Sequence, residues 1–556
     1  MASGRPGNAA SPPALRSDCE TQVNTASFAS PDQLWELERK LDSYGVRSTG
    51  SAAHQQYVDW LESQLRTIPG IELRADDFPI ARWSAVGGSL EAGAALGFTL
   101  PVPISAIVPY ARATPADGLV ASLAYVPSGT AITAENSGGK IVLRDVVASS
   151  QPNATMAAVM WWMYDPDLSF LTNLNGKREN KQGVGREDLD AAQAAGAAGL
   201  IYLHEFPRAQ VLDLYRPYEG VLWSIPAFQV GADEAALLRQ LAAGGGVAQM
   251  KLAAVTEPAV TRMLVATLPG VAEDALVIES HTDGTSALWD NGPLAMLALA
   301  RYFGQFERHC RPRPLTFVFT TAHLYQQLVP PYRGGSADLY AQEMDRAYEE
   351  GRASAAIVIE HLGAREYTAI PRPDGGPGRE LTLTDRHELN TFFVTESVGL
   401  QDALLQSVAI HDLRESYALR GTGLPGAHLP LTDNFGGEGN SYIRHLLPTV
   451  AFIVAPWTLF TPGYSLQGID PALLYKQSLV FGDLIHKLGA LPREVLAGPP
   501  RRSVPSATGC APAARMSAAL CCARARPRNR RLIHDPARPA DCGSLAVGWL
   551  RQERCP

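Results

Sequence analysis

Cysteine is scarce over most of this chain. Of seven in 556 residues, only Cys19 and Cys310 precede residue 500. A body with two cysteines is not a disulfide-built scaffold, and no CxxC pair offers structural-zinc spacing. Long apolar runs are also missing: no stretch reaches the roughly 18 residues that span a bilayer. Met1 to Asn24 lacks the hydrophobic core of a signal peptide, so the sequence as it reads predicts neither a membrane span nor an export signal. Charge is modest, 19% of residues with a net of −8. From Arg501 onward there are eleven Arg, no Lys and three acids (Asp535, Asp541, Glu553), a local net of +8, so the remainder carries −16. An acidic body of this kind predicts no nucleic-acid partner.

What is present reads as a large globular protein. Apolar residues make up 46%, and the length suggests about three domains. Ser30-Pro31-Asp32 opens a helix with Leu34, Leu37 and Leu41 on one face. Ser51 caps a second, with Tyr57, Val58, Leu61 and Leu65 as its stripe. From Trp83 to Thr256 the texture turns to short strands with Gly and Pro punctuation. "GGKIVLRDV", "DLDAAQAAGAAGLIYL" and "IPAFQVGADEAALLRQL" read there as strand, helix–strand and strand–helix. This segment resembles a protease-associated domain, which implies a structural insert that shapes substrate access. From Val260 to Leu488 strands alternate with helices, the strands falling at Leu276–Ser280, Leu315–Thr320, Ala355–Ile359 and Thr449–Val454. That alternation predicts an α/β fold with a mixed, mainly parallel sheet flanked by helices. The expected organisation is a disordered leader (1–29), a peptidase-like α/β domain (30–82 and 257–495), a β-rich insert (83–256) and a disordered basic tail (496–556). The tail is rich in Ala, Arg, Pro and Cys without periodicity and carries no assignable fold or function.

Three potential ligands fall just past strand ends, where ligands gather in such sheets. These are His281, His323 and Glu360. "SHTDG" and "WDNG" place His281, Asp283 and Asp290 within ten residues between an apolar strand and an apolar helix. Imidazole and carboxylate suit zinc or a similar ion, and Asp283 is placed to orient His281. A structural reading competes: Asp290 caps the helix and His281 hydrogen-bonds inside a polar strand end. Glu438, in the Gly-rich "TDNFGGEGNSY", is a weaker candidate for a base or a substrate contact, with a solvated loop as the alternative. Strand alternation sends His361 to the face opposite Glu360, so it is left out. His428 and His445 read as surface or core residues.

These segments resemble the co-catalytic zinc aminopeptidases of the aminopeptidase Y family, in metallopeptidase clan MH. The likeness rests on "HTDG" with "WDNGPLAMLALAR" (family pattern HxDg…(D/E)NG…lAll.lAr), on the upstream "YGVRSTGSAAHQQYVDWLESQL", and on "RPLTFVFTTAH", "IVIEHLGA" and "HLLPTVAFIVAP". It runs from about Leu34 to Leu488. The resemblance implies hydrolysis of a peptide or small amide at paired metals that activate a water. It implies His281 as first ligand, Asp283 as its orienting acid, Asp290 as bridging carboxylate and Glu360 as a later acidic ligand. Two departures stand out. The family's Glu-Glu pair reads His323-Leu324, and its late histidine reads Phe460. Both lost ligands belong to one metal, so the resemblance implies a single Zn2+ held by His281, Asp290 and Glu360, with His323 as candidate base. A catalytically inactive, peptidase-like binding protein is the alternative. Relatives are often exported, which sets the family against the missing signal.

Overall fold

The computed structural model describes residues 17–497, apart from 96, 98, 147, 149, 180–183, 219–221, 326–334 and 422–434. Its centre is a run of four parallel strands in the order Leu315–Thr320, Ala275–His281, Ala353–Ile359 and Thr449–Phe452. All seven residues of Ala353–Ile359 and all six of Leu315–Thr320 are buried. Strands covered on both faces need continuous apolar sequence rather than alternation, and "LTFVFT" and "ASAAIVI" have it. The sheet continues through Asn390–Thr395, antiparallel to Thr449–Phe452, then Ser416–Gly421, and ends on Met160–Tyr164. Helices flank it. Gly292–Gly304 packs on the strand Ala275–His281 with almost its whole surface buried. The 20-residue helix Pro471–Ala490 packs on the same strand. None of the described helices is long and apolar enough to cross a membrane.

On the other side Leu315–Thr320 pairs antiparallel with the end of a 22-residue strand, Val247–Leu268. That strand pairs along nearly its whole length with Glu72–Gly93, forming a ribbon with one irregularity at Ala85/Gly87. Its far end pairs with Leu119–Val126. That strand begins a further parallel run through Ile141–Val146, Gly199–His204 and Ala227–Val230. The expected boundaries at 82/83 and 256/257 therefore cut through two unbroken strands. The strand runs unbroken through Trp83, and its exposed stretch falls at Ala85–Ser89. Met160–Tyr164, inside 83–256, is an edge strand of the same sheet as the four central strands.

The caps form as the sequence implies. Ser30 accepts from the Gln33 amide and Ser51 from the His54 amide. Residues 17–29, expected as a disordered leader, are instead pinned to the body. Cys19 and Cys310 form a disulfide, the Val23 amide donates to Asp483 at 2.6 Å, and Phe28 is buried against Tyr302. The tail after Ala497 and His428 lie outside the described residues. His445 sits partly exposed, 3.3 Å from Asp345.

Candidate metal centre

His281 and Glu360 lie at the carboxyl ends of two neighbouring parallel strands, so their backbones are about one inter-strand spacing apart, roughly 4.8 Å. Both side chains are buried, and His281 Nε2 is 3.4 Å from Glu360 Oε2. His361 joins them against the alternation argument. Its φ is +61°, a left-handed value uncommon for a non-glycine residue. The extended backbone ends at Glu360, so period-two alternation no longer applies, and His361 Nε2 comes 3.8 Å from the same carboxylate oxygen. The ligand atoms of His281, Glu360 and His361 all lie within 4.8 Å of one another. His281 Nε2, Glu360 Oε2 and His361 Nε2 are each buried with no hydrogen-bond partner.

The opposite atom of each group is held. His281 Nδ1 is 3.0 Å from the Asp283 carbonyl, and His361 Nδ1 is 2.5 Å from the Val454 carbonyl. A carbonyl only accepts, so both Nδ1 atoms carry hydrogen; each Nε2 is then the nitrogen that offers a lone pair whenever its ring is neutral. Glu360 Oε1 accepts the Glu438 amide at 2.8 Å. That contact requires glycine at 437, where a Cβ would come within 2.1 Å of Glu360 Oε1 and φ is +52°. Asn291 fixes the turn by bonding both the N–H and the C=O of Leu362, at 2.8 and 2.9 Å.

The charges match a cation site. Burial alone pulls the His281 imidazole down, but the facing Glu360 and Glu438 carboxylates raise it to about 9, so with no ion bound a proton takes the cation's place between His281 and Glu360, and a metal would displace it. His361 is pushed down to about 3 by burial, which keeps it neutral. Burial pushes Glu360 up, but the neighbouring imidazoles hold its carboxyl below the ordinary value. Glu438 accepts from Thr320 Oγ1 at 2.5 Å, and the same hydroxyl lies 2.9 Å from Glu279 Oε1. Burial and the facing Glu438 raise Glu279 well above the usual range. Despite its burial, Glu438 falls to about 2 through Glu279 and the histidines. One proton on Glu279 thus serves both acids and leaves Glu438 ionised. His323 stacks on His281 with ring centroids 4.0 Å apart and an angle of 6°. Its Nδ1 is 3.5 Å from Glu438 Oε1.

Asp290 and Asp283 are placed differently from the expectation. Both Asp290 oxygens are taken by Arg47, Nε–Oδ2 at 2.8 Å and Nη2–Oδ1 at 2.5 Å, with the two side chains 0–1% exposed. Asp290 is thus an ion-pair partner, not an open ligand. Asp283 orients His281 through its main-chain oxygen. Its carboxylate turns away to the Thr49 hydroxyl and the amides of His323 and Leu324. Leu324 and Phe460 are fully buried. Phe460 packs on Trp289 at 4.6 Å and Tyr218 at 5.6 Å. The segment between the ribbon strands closes this side. Tyr110 donates its hydroxyl to the Leu324 carbonyl, and the Tyr215 amide donates to the Phe460 carbonyl.

Sequence reasoning missed Arg47, Glu279 and His361. Glu279 had a signal, an acid within the apolar run "ALVIES". Arg47 stands in the segment "YGVRSTGS", but its partner, 243 residues away, was not legible. Two imidazole nitrogens and one carboxylate oxygen are a known zinc donor set, and three orphaned buried atoms aimed at one point fit such an ion.

Comparison with solved structures supports the fold. The chain is similar to BSAP, a zinc aminopeptidase from Bacillus subtilis, at 15% identity over 83% of this chain and 94% of that one, with a TM-score of 0.56. It is also similar to a peptidase M28 precursor from Shewanella amazonensis at 16% identity, over 83% and 98% of the two chains, with a TM-score of 0.53. For an aminopeptidase from an Aneurinibacillus strain the values are 16%, 83%, 94% and 0.51. No family model and no curated protein sequence matches. What these neighbours share with the chain is its architecture, a large, mostly parallel sheet flanked by helices, and on that ground the chain carries the zinc-aminopeptidase fold.

Proposed function

We propose that this protein is a metal-dependent hydrolase of peptide or related amide bonds, aminopeptidase-like, working with a single divalent ion. The observation that carries the reading is the convergence of three buried ligand atoms, from His281, Glu360 and His361, within 4.8 Å of one another and without a hydrogen-bond partner. His361 replaces Asp290 in the expected ligand set, because Arg47 occupies both oxygens of Asp290.

A zinc ion bound there supplies Lewis acidity and a water of lowered pKa. The chain's own groups do the rest. The Glu438 carboxylate faces His323 Nδ1 at 3.5 Å and would orient the ring so that Nε2 serves as the base. The proton on Glu279 keeps this carboxylate from carrying a second uncompensated charge. Trp289, Phe460 and Tyr218 limit water around the His323 ring. A catalytically inactive binding protein is the second reading, favoured by the loss of the family's Glu-Glu pair and by the closed Asp290 side.

Metal analysis of protein purified without chelator tests the first reading, with one equivalent expected. Two equivalents, or none, overturns it. Aminoacyl and dipeptide substrates with zinc, cobalt or manganese then separate enzyme from binder. Activity abolished by both His281→Ala and His323→Ala supports the hydrolase, and silence with one metal bound supports the binder. The Cys19–Cys310 disulfide supports an oxidising compartment for the mature protein. Alkylation of both thiols in protein isolated without reductant would remove that support.

A further inference from the structure

A cleft of about 210 Å3 opens beside the strand start at Asn390, lined by Gln151, Arg178, Glu388, Thr391, Phe393 and Tyr417, and it touches Gly436 and Val454. Asn390–Thr395 runs antiparallel to Thr449–Phe452, so its first residues sit at the sheet edge where the parallel strands end. The cleft thus lies along the same edge as the metal centre, with Val454 common to both.

Two of its charged groups are incompletely satisfied. Arg178 is 6% exposed, and its Nη atoms are used: Nη1 donates to the His387 carbonyl at 2.8 Å and lies 3.5 Å from Glu366, and Nη2 reaches Glu415 at 3.2 Å. Its Nε–H is buried with no acceptor. A buried donor left unpaired costs about 1–3 kcal/mol, so the position calls for an acceptor. The half-buried Glu388 carboxylate has no hydrogen bond or ion pair among the described residues, and burial pushes it up to about 7. Glu366, Glu388 and Glu415 outnumber Arg178 and Arg386 around it. With Glu388 ionised, as it is at pH 8, the local excess is one negative charge, which calls for a cation. Neither a simple anion nor a simple cation answers both demands.

We propose that this cleft binds a free α-amino acid as a zwitterion, its ammonium on the Glu388 carboxylate and its carboxylate on Arg178 Nε. Thr391 Oγ1 lies 3.0 Å from the Tyr417 hydroxyl and 3.2 Å from the Leu389 carbonyl; when its one hydrogen goes to Tyr417, the Tyr417 O–H is left for the ligand's carboxylate. Phe393 and Tyr417 also line the cleft, and aromatic rings attract cations. The volume corresponds to about seven waters at ~30 Å3 each, the scale of one amino acid. Amino acids are the product class of the proposed hydrolysis, but the site stands on its own residues and needs neither metal nor turnover.

Titration calorimetry on the full chain, stripped of metal with chelator at pH 8, tests this. The probes are L-leucine and L-alanine, with 3-methylbutylamine and 4-methylpentanoate as the separated halves of leucine. An amino acid is expected to bind at least tenfold tighter than either half. Glu388→Gln should weaken it by tenfold or more, and Tyr417→Phe, which removes one hydroxyl, by several-fold. No binding by either amino acid, an amine that binds as tightly as leucine, or full affinity in both variants overturns the proposal. Because the metal is absent throughout, these outcomes leave the hydrolase reading to its own test.

Discussion

His281, Glu360 and His361 on one side, and Asp283, Asp290 and Arg47 on the other, are equally buried and equally polar, and they lie within the same strand-end cluster. They differ in what their polar atoms face. On the second side every carboxylate oxygen has a donor from this chain: Arg47 on Asp290, Thr49 and two amides on Asp283. On the first side each residue is held by one atom while another, buried, has no hydrogen-bond partner. Burial without satisfaction is costly, and a bound cation, as proposed, would offset that cost at the three atoms. A saturated polar cluster of the same composition needs none. Composition alone therefore could not separate the two sides.

The largest expected effect breaks the open side. Glu360→Gln keeps the volume but replaces the anionic oxygen with a neutral one, and His361→Ala removes a lone pair outright. Each should lower zinc affinity by more than about 100-fold, since even changes behind the ligands cost 10–100-fold. Equilibrium dialysis against zinc measures this. Asp290→Asn serves as the contrast and should leave the metal content at one equivalent. If Asp290→Asn loses the metal and His361→Ala keeps it, the assignment of the two sides is reversed.

Next comes the ion pair that closes the other side. Arg47→Met leaves the Asp290 carboxyl buried without its cation, a change that typically costs 3–5 kcal/mol. Burial already raises Asp290 against the pull of Arg47, so the variant's aspartate should be neutral near pH 7. Urea unfolding checks the loss, and the double change Arg47→Met with Asp290→Leu should recover most of it. A second equivalent of zinc in Arg47→Met alone would sharpen the comparison differently. It would show that the guanidinium stands where a cation could sit.

How far the sequence showed this contrast follows from the range of each interaction. The four central strands were legible because strands buried on both faces need unbroken apolar runs, and "LTFVFT" admits no other reading of comparable length. His281 and Glu360 were legible because a charge at the end of such a run is exceptional. His361 was not, because alternation assumes extended backbone and its φ of +61° ends that assumption at one residue. Arg47 was hidden by distance along the chain, and with it the fate of Asp290. The β-ribbon was hidden because Glu72–Gly93 is exposed or half-buried except at Phe78, Ile80, Leu90, Ala92 and Gly93, so it shows no sustained apolar run or alternation.

A smaller effect reads the saturated side through pH. His54 is buried beside that side, with Nε2 2.8 Å from Thr282 Oγ1 and Nδ1 accepting the Gly50 amide at 3.2 Å. Burial lowers it to about 4; Asp283 opposes the shift, and Arg47 and His281 add to it. Above about pH 6.5 it is neutral in both folded and unfolded chains and contributes no pH dependence. Below that, the unfolded chain takes up the proton and the folded chain does not, so stability falls from about pH 6.5 to about 4. The loss approaches about 3 kcal/mol. Unfolding free energies of wild type minus His54→Gln, compared at pH 7.5 and 4.5, isolate this from the carboxylates. A difference that does not change with pH would mean that His54 is protonated or solvated in the native protein.

The smallest effect tests whether the two sides are independent. Thr49→Val replaces the hydroxyl that donates to Asp283 with a methyl of similar size. A hydrogen bond to a charged acceptor contributes about 1.5–3 kcal/mol. The His323 and Leu324 amides still donate to that carboxylate, so the loss should sit near the low end, about 2 kcal/mol. His281 rests on the main-chain oxygen of Asp283 and not on its carboxylate. Zinc affinity should therefore stay within a few-fold of wild type while the melting temperature drops. If affinity falls in step with stability, the Asp283 carboxylate positions His281 after all, and the saturated side supports the open one rather than standing apart from it.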